Sequence, residues 1–390
     1  MYTWLLRAAV IFAVGCGGGG SLPDGGQQPD PPDLAGPSAD LAQPTVTTLR
    51  VFYPVGSHTM SLRCADAPLD WTKGVTLKAS ATDGAFEYVW PALKAPTQCK
   101  PLLDDTSWAH GANYVINPNT TVEIYPHFVA THGQVKQLYA SFHSTVMTFD
   151  QPVWVYLPPS YDENTLAHYP VAYMQDGQNL FDPAHAFGGN EWKVDEALDA
   201  AAEGDPAPTA IREIIVIGPE AGPGRNDNYT PTLDASEGFG GNGTKYLQML
   251  VTELKPAVDK SLRTLPGRDT TGILGSSLGG LISAWAGCTN ADTFGLVGAL
   301  SPSTWWDNET LIAKVGAMTQ PRPQRVYLDS GDSGPSNDDL DQTTRLTAAY
   351  TKLGYDNSDL LHVVQQGGMH SEIYWAQRIP GALQFLYGKR

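Results

Sequence analysis

The residues of this chain best placed to do chemistry surround a serine framed by glycines. In Gly275-Ser276-Ser277-Leu278-Gly279, only Ser277 has Gly two positions before and two after; Ser276 has Leu274 and Leu278 there. An apolar, strand-like run at residues 271–274 enters the motif, and an apolar helical stretch at 278–287 leaves it. Strand, tight turn and helix in that order make the setting of a nucleophile elbow, whose glycines let backbones approach closely. A serine hydroxyl is a weak nucleophile until a base takes its proton and a third group orients that base. With this motif, acid and histidine are expected after the serine. Of nine histidines, His362 and His370 lie late enough. His362 sits inside the strand-like residues 360–364, whereas His370 follows Gln366-Gly367-Gly368-Met369 in a loop before the next helix. His370 is therefore the expected base. For the acid, Asp332 is favoured in the loop after residues 325–328, because Asp329 still belongs to the strand end. Asp329 and Asp338 remain the alternatives.

Elements that could hold such residues are visible from about residue 146 onward. Short apolar runs at 153–157, 171–174, 214–217, 271–274 and 325–328 alternate with helical stretches. The clearest helix spans 246–263, with Leu247, Leu250, Val251, Leu254, Val258 and Leu262 on one stripe. This alternation predicts an α/β domain over 146–390, with a mainly parallel central sheet sandwiched between helices. Residues 45–130 read differently. Runs of β-branched and aromatic residues at 47–53, 75–79, 86–90 and 121–125 stand between turn signals and predict a small all-β sandwich.

Composition narrows the function. The chain of 390 residues carries 24 Lys+Arg against 41 Asp+Glu, a net charge of −17. Nucleic-acid binding needs a basic surface, and so does docking on anionic lipid. At the N-terminus, Arg7 precedes an apolar run at 8–14 that is too short to span a bilayer and reads as a signal peptide. The run ends in Ala13-Val14-Gly15-Cys16, which resembles a bacterial lipobox, so residues 1–16 are expected to deliver Cys16 for lipidation. Residues 17–44 are Gly, Pro, Asp, Gln and Ser with few large apolar side chains, the composition of a tether. The expected location is the bacterial cell envelope, lipid-anchored at the outer membrane or cell surface, or the secreted fraction. Cys64 and Cys99 are candidates to pair in such an oxidising compartment, and Cys288 reads as a buried free thiol. No CxxC, HExxH or Cys/His cluster at zinc spacing is present, so no metal is expected. Gly238-Phe239-Gly240-Gly241-Asn242-Gly243 matches GxGxxG but follows a polar loop instead of a strand, and Gly243-Thr244-Lys245 is no phosphate-binding GK[ST]. No nucleotide cofactor is expected.

Several phrases carry a resemblance. Residues 169–182 (YPVAYMQDGQNLFD), the Ser277 elbow, Leu300-Ser301-Pro302-Ser303 with Trp305-Trp306, and His370-Ser371-Glu372 resemble the esterase group of α/β-hydrolases that includes enterochelin esterase, esterase D and feruloyl esterases. The resemblance implies a serine carboxylester hydrolase working through an acyl-enzyme, on carbohydrate-linked or siderophore-type esters. It implies an oxyanion hole from the backbone N–H groups of Leu278 and Gln178, and a substrate wall from Trp305 and Trp306. Relatives in the same superfamily pass the acyl group to a sugar hydroxyl, which leaves acyl transfer as an alternative. Within 45–130, Pro68-Leu69-Asp70-Trp71-Thr72-Lys73-Gly74, Cys99-Lys100-Pro101-Leu102 and Trp108 with Gly111-Ala112-Asn113 resemble a starch-binding-type module. There Lys100 and Trp108 stand where the sugar contacts would be, with Phe86 nearest to the second platform. A non-catalytic carbohydrate-binding surface lipoprotein is the remaining alternative.

Overall fold

The computed structural model describes residues 46–203 and 211–388. The segment 1–16 with Cys16, and the tether 17–44, lie outside the described residues.

Alternation builds the N-terminal module. Along Thr47–Val51, residues 47, 49 and 51 are buried and the two between them half-exposed. This strand pairs antiparallel with Phe86–Trp90 and parallel with Thr121–Ile124. A second sheet joins Met60–Cys64 to Val75–Thr76 on one side and to Thr97–Leu103 on the other. The two sheets share a core of Leu49, Val51, Trp90 and Ile124 against Met60, Leu62, Cys99 and Ile116. The run expected as one strand at 75–79 is split. Val75–Thr76 and Lys78–Ala79 belong to different sheets, with buried Leu77 at the corner. Cys64 and Cys99 face each other on paired strands and form a disulfide.

The larger sheet has eight strands: β1 Gln134–His143, β2 Asp150–Leu157, β3 Val171–Met174, β4 Ile215–Pro219, β5 Thr271–Ser276, β6 Leu296–Leu300, β7 Arg325–Gly331 and β8 Leu360–Gln365. Their order is β1-β2-β4-β3-β5-β6-β7-β8. All pairs from β4 to β8 are parallel, and β2 runs antiparallel to β4. This is the α/β-hydrolase sheet. It begins at Gln134, earlier than the change of pattern near residue 146, because β1 is a largely exposed edge strand without an apolar signature. Inner strands are buried on both faces: Val171 and Tyr173 enter one core cluster, Ala172 and Met174 the other. Helices α1 Leu278–Thr289, α2 Trp306–Gly316 and α3 Leu340–Lys352 lie over the first face, and α4 Glu372–Tyr387 covers the second. The helix expected at 246–263 is present but contains a π-helical stretch, Leu250–Leu254, between Gly243–Met249 and Lys255–Ser261.

A loop of the sheet domain, at residues 163–164, holds the β module. The Glu163 carboxylate accepts the N–H groups of Phe128, Val129 and Ala130 and the hydroxyl of Tyr53. The Asn164 amide donates to the carbonyls of Phe52 and Pro126.

Candidate active site

β5 delivers Ser277 directly into α1. Its backbone sits at φ 57°, ψ −126°, a region that non-glycine residues occupy only when their surroundings force it. The force is visible at Gly275, where a Cβ would fall 2.5 Å from the carbonyl oxygen of Gly279. The turn thus closes only without a side chain there. Ser277 remains partly accessible while the rest of the elbow is buried.

His370 reaches over from the loop after β8. Its Nε2 lies 2.9 Å from Ser277 Oγ, and its Nδ1 lies 2.8 Å from Asp338 Oδ1. An ionised carboxylate only accepts, so Nδ1 carries the hydrogen, and Nε2 of the neutral ring is left to accept the serine proton. Ser277, His370 and Asp338 therefore form one directed chain of hydrogen bonds. The Trp375 ring meets the imidazole edge-to-face with centroids 5.0 Å apart.

The favoured acid, Asp332, is not the residue that meets His370. Its Oδ1 accepts the N–H of Gly367 at 2.7 Å and the hydroxyl of Ser333 at 3.1 Å, bracing the histidine loop from outside. Asp338 reaches His370 because the chain reverses through three residues in left-handed conformation, Asn337, Asp338 and Asp339, at φ 50°, 51° and 57°. Asn and Asp enter that region more readily than other side chains. Asp338 is 1% exposed. Burial alone would push its carboxyl up, but donors from His370, Ser301, Gly331 and Arg378 more than offset this and leave it below the usual range. Asp329 lies on β7 and points into the interior, where burial pushes its carboxyl up to about 7.

The two expected oxyanion donors sit on adjacent backbone. Leu278 is the first residue of α1, so its N–H has no acceptor within the helix. Gln178 lies in a 3₁₀ turn, Gly177–Asn179, directly after Asp176. A Cβ at Gly279 would lie 3.1 Å from Gln175 Cβ and 3.4 Å from Asp176 Oδ2, so turn and helix terminus are in contact. Asp176 is itself left-handed (φ 58°) and buried. Its two carboxylate oxygens take a fork from Arg225 Nε and Nη2, both at 2.7 Å, and Arg225 stacks on Tyr229. This clamp gave no sequence signal, because the partners stand far apart in the chain.

The tryptophan pair divides. Trp305 is 38% exposed and stands beside Asp339. Trp306 is fully buried against Phe239 and donates its indole N–H to the carbonyl of Thr232, so it is a core residue and lines no surface. Met369 and Ile373 are also exposed, on either side of His370 in the chain. Ser303 was not foreseen; its N–H donates to the carbonyl of Ser277, and its hydroxyl stands 3.4 Å from Ser277 Oγ. His362 on β8 is half-buried, and burial pushes its imidazole down. Cys288 is a free thiol, pushed up to about 12 by burial.

In the β module, Trp108 is 40% exposed and lies tilted against Trp71, centroids 6.1 Å apart, with the Arg63 guanidinium 5.2 Å above it. Lys100 donates to the carbonyl of Gly111. Phe86 lies in the other sheet and does not share this face, so Trp71 is the residue that joins Trp108.

A family model described as "Putative esterase" matches residues 144–386, well over half of the chain. The uncharacterized protein YbbA of Bacillus subtilis (strain 168) is 28% identical over 246 residues, which cover 60% of this chain and 92% of that protein. Among solved structures, a ferulic acid esterase superposes with a TM-score of 0.52 at 21% identity, over 66% of this chain and 98% of its own. The enterobactin esterase Fes from Shigella flexneri, solved in the presence of enterobactin, gives a TM-score of 0.52 at 15% identity, over 84% of this chain and 87% of its own. That second match extends beyond what the residues from Gln134 onward make up, and so takes in part of the β module. The matched segment carries the elbow, the histidine loop and the buried acid together, and this chain belongs to the esterase family of the α/β-hydrolases, a carboxylic ester hydrolase.

Proposed function

We propose that the chain cleaves its ester through a Ser277–His370–Asp338 triad and a covalent acyl-enzyme. The observation that carries this reading is the bridge made by His370, 2.9 Å to the serine and 2.8 Å to the buried acid. His370 Nε2 takes the proton of Ser277 as Oγ attacks the ester carbonyl. The N–H groups of Leu278 and Gln178 receive the developing oxyanion, a contribution of about 3–4 kcal/mol per donor in comparable sites. The imidazolium then gives its proton to the departing alkoxide. Water, deprotonated by the same ring, attacks the acyl-enzyme and releases the acid. Asp338 stays ionised and supports the imidazolium in both halves.

The exposed apolar side chains Trp305, Met369 and Ile373 favour an acyl group with a flat or aliphatic body, and the names of the structural relatives, ferulic acid and enterobactin esterases, point the same way. In the β module, the exposed Trp108 with Trp71 supports stacking on a sugar face, which would hold the enzyme near a carbohydrate-linked ester. Lipidation at Cys16 would fix it to the cell envelope. Labelling by a fluorophosphonate probe tests the nucleophile: wild type should label at one site and Ser277→Ala should not. A panel of aryl, short-chain and sugar esters, with and without a sugar acceptor, ranks substrates and separates hydrolysis from transfer.

A further inference from the structure

We infer that Arg378, on the first turns of α4, is a positioning residue for the acid of the proposed triad: it fixes which oxygen of Asp338 faces His370. The inference rests on the triad reading above. Among the described residues, Asp338 Oδ1 bonds only to the imidazole, whereas Oδ2 collects the other donors. These are the Ser301 hydroxyl at 2.7 Å, the Gly331 N–H at 2.5 Å and the Arg378 guanidinium, Nη1 at 3.2 Å and Nη2 at 3.3 Å. Arg378 acts twice, since Nη2 also donates to Ser301 Oγ at 2.8 Å, with the Trp375 indole N–H on the same oxygen at 2.9 Å. With two donors on its lone pairs, the Ser301 hydroxyl must direct its own hydrogen at Asp338. Trp375 and Arg378 stand three apart on one helix and so reach the same point.

All members of this cluster are buried: Arg378 and Trp375 are 5% exposed, Ser301 and Asp329 0%. Arg378 Nε faces a second carboxyl group, Asp329 Oδ1, at 3.5 Å. One guanidinium thus stands between two acids, of which Asp338 alone touches the histidine. Its charge draws electron density from Asp338, and so limits how strongly the acid holds the imidazolium. Around His370 the other titratable groups are Asp339 on the acid turn and Glu372 on α4, with Asp176 and Arg225 beyond Glu372. None of these contacts Asp338 Oδ2.

The test compares Arg378→Gln, Arg378→Lys, Ser301→Ala and Ser277→Ala in the full chain, with active sites counted by fluorophosphonate titration and turnover measured on an aryl ester from pH 5 to 9. Arg378→Gln should lower kcat per titrated site by on the order of 10²-fold, the scale of a misplaced catalytic group, with KM little changed. It should also move the acidic limb of the pH profile to higher pH, because an acid freed from its cation holds the imidazolium more tightly. Arg378→Lys keeps the charge and should return the limb to its wild-type position. A residue that served packing alone would reduce the number of titratable sites and leave the limb unmoved. Wild-type kcat per site and an unmoved limb in folded Arg378→Gln would overturn the inference. If Arg378→Gln lacks the native near-UV circular dichroism, Ser301→Ala decides. It removes one donor from the same oxygen, so the limb should move the same way by less, and an unmoved limb again overturns the inference. Hydrolysis retained by Ser277→Ala would instead sink the triad reading itself.

Discussion

Asp338→Asn exchanges one oxygen for one nitrogen, and the surrounding donors dictate where the nitrogen goes. The Oδ2 side meets the Ser301 hydroxyl, the Gly331 N–H and the Arg378 guanidinium, all of them donors. An amide NH₂ turned that way would face three donors with nothing to accept it, so the amide oxygen must stay and the NH₂ must point at His370. Nδ1 then has to accept, which moves the ring hydrogen to Nε2. The imidazole now offers Ser277 a donor where it needs a base. The equivalent change in a serine-protease triad costs about 10⁴ in kcat through this tautomer error, or about 5.5 kcal/mol of barrier. We expect a loss of that order on an aryl ester, with KM within a few-fold of wild type and an unchanged circular dichroism spectrum. Asp332→Asn is the control. Its side chain only accepts, from Gly367 N–H and Ser333 Oγ, and an amide oxygen can do the same. That variant should stay within about fivefold of wild type, since both bonds are kept and only their charge assistance is lost. Loss at Asp332 equal to that at Asp338, or less than tenfold loss at Asp338, would refute the assignment.

Further outcomes follow from the same geometry. Ser277→Ala should lower kcat by on the order of 10⁶ while leaving the thermal midpoint nearly unchanged, as read by calorimetry, since the hydroxyl is partly accessible and the bond it gives up to His370 is replaceable by water. Trp306→Ala empties a fully buried site and should cost about 3–5 kcal/mol in denaturant titration, whereas Trp305→Ala should leave stability intact and raise KM for bulky acyl groups. Asp329 has a folded pKa of about 7, above its unfolded value, so the native state holds its proton longer. Stability from this group is full below the unfolded pKa and is lost as pH rises towards 7. The stability of Asp329→Asn relative to wild type should therefore improve steadily from pH 4 to 7.5, and a flat difference would contradict it. Cys64 and Cys99 are 35 apart in sequence, and closing that loop removes about 4 kcal/mol of unfolded-chain entropy. A Cys64→Ser, Cys99→Ser pair should unfold at correspondingly lower denaturant, visible in Trp fluorescence.

The parts of the fold that were legible in the sequence are those whose signal is local. β3 and β5 are continuous apolar runs because both faces are buried, and the elbow is spelled by two glycines at fixed offsets. His370 was legible for the same reason, as a loop residue between a strand and a helix. The acid was harder. Three aspartates follow β7 within one loop, and the choice among them depends on a left-handed reversal at 337–339 that sequence spacing does not encode. Trp305 and Trp306 are adjacent, yet one is exposed and the other buried, a difference set by Phe239 and Thr232 from a distant loop. Arg225 and Arg378 were invisible because each pairs with a carboxylate on another element.

The loops that bring acid and base together meet backbone to backbone. A Cβ on Gly331 would fall 2.1 Å from the carbonyl oxygen of Gly368, so at this point the end of β7 and the histidine loop have no side chain between them. The distance from Asp338 to His370 is consequently gauged by two peptide planes, like a feeler gauge of fixed thickness. One methyl group at Gly331 would wedge the loops apart, and the His370–Asp338 bond would lengthen with no triad residue altered. In a saturation scan read by activity, Gly331 should score like a catalytic residue, and in a scan read by abundance it should also be depleted, because the atoms it displaces are backbone. A directed-evolution campaign on this enzyme would find its substrate rim permissive and this hidden spacer closed to change.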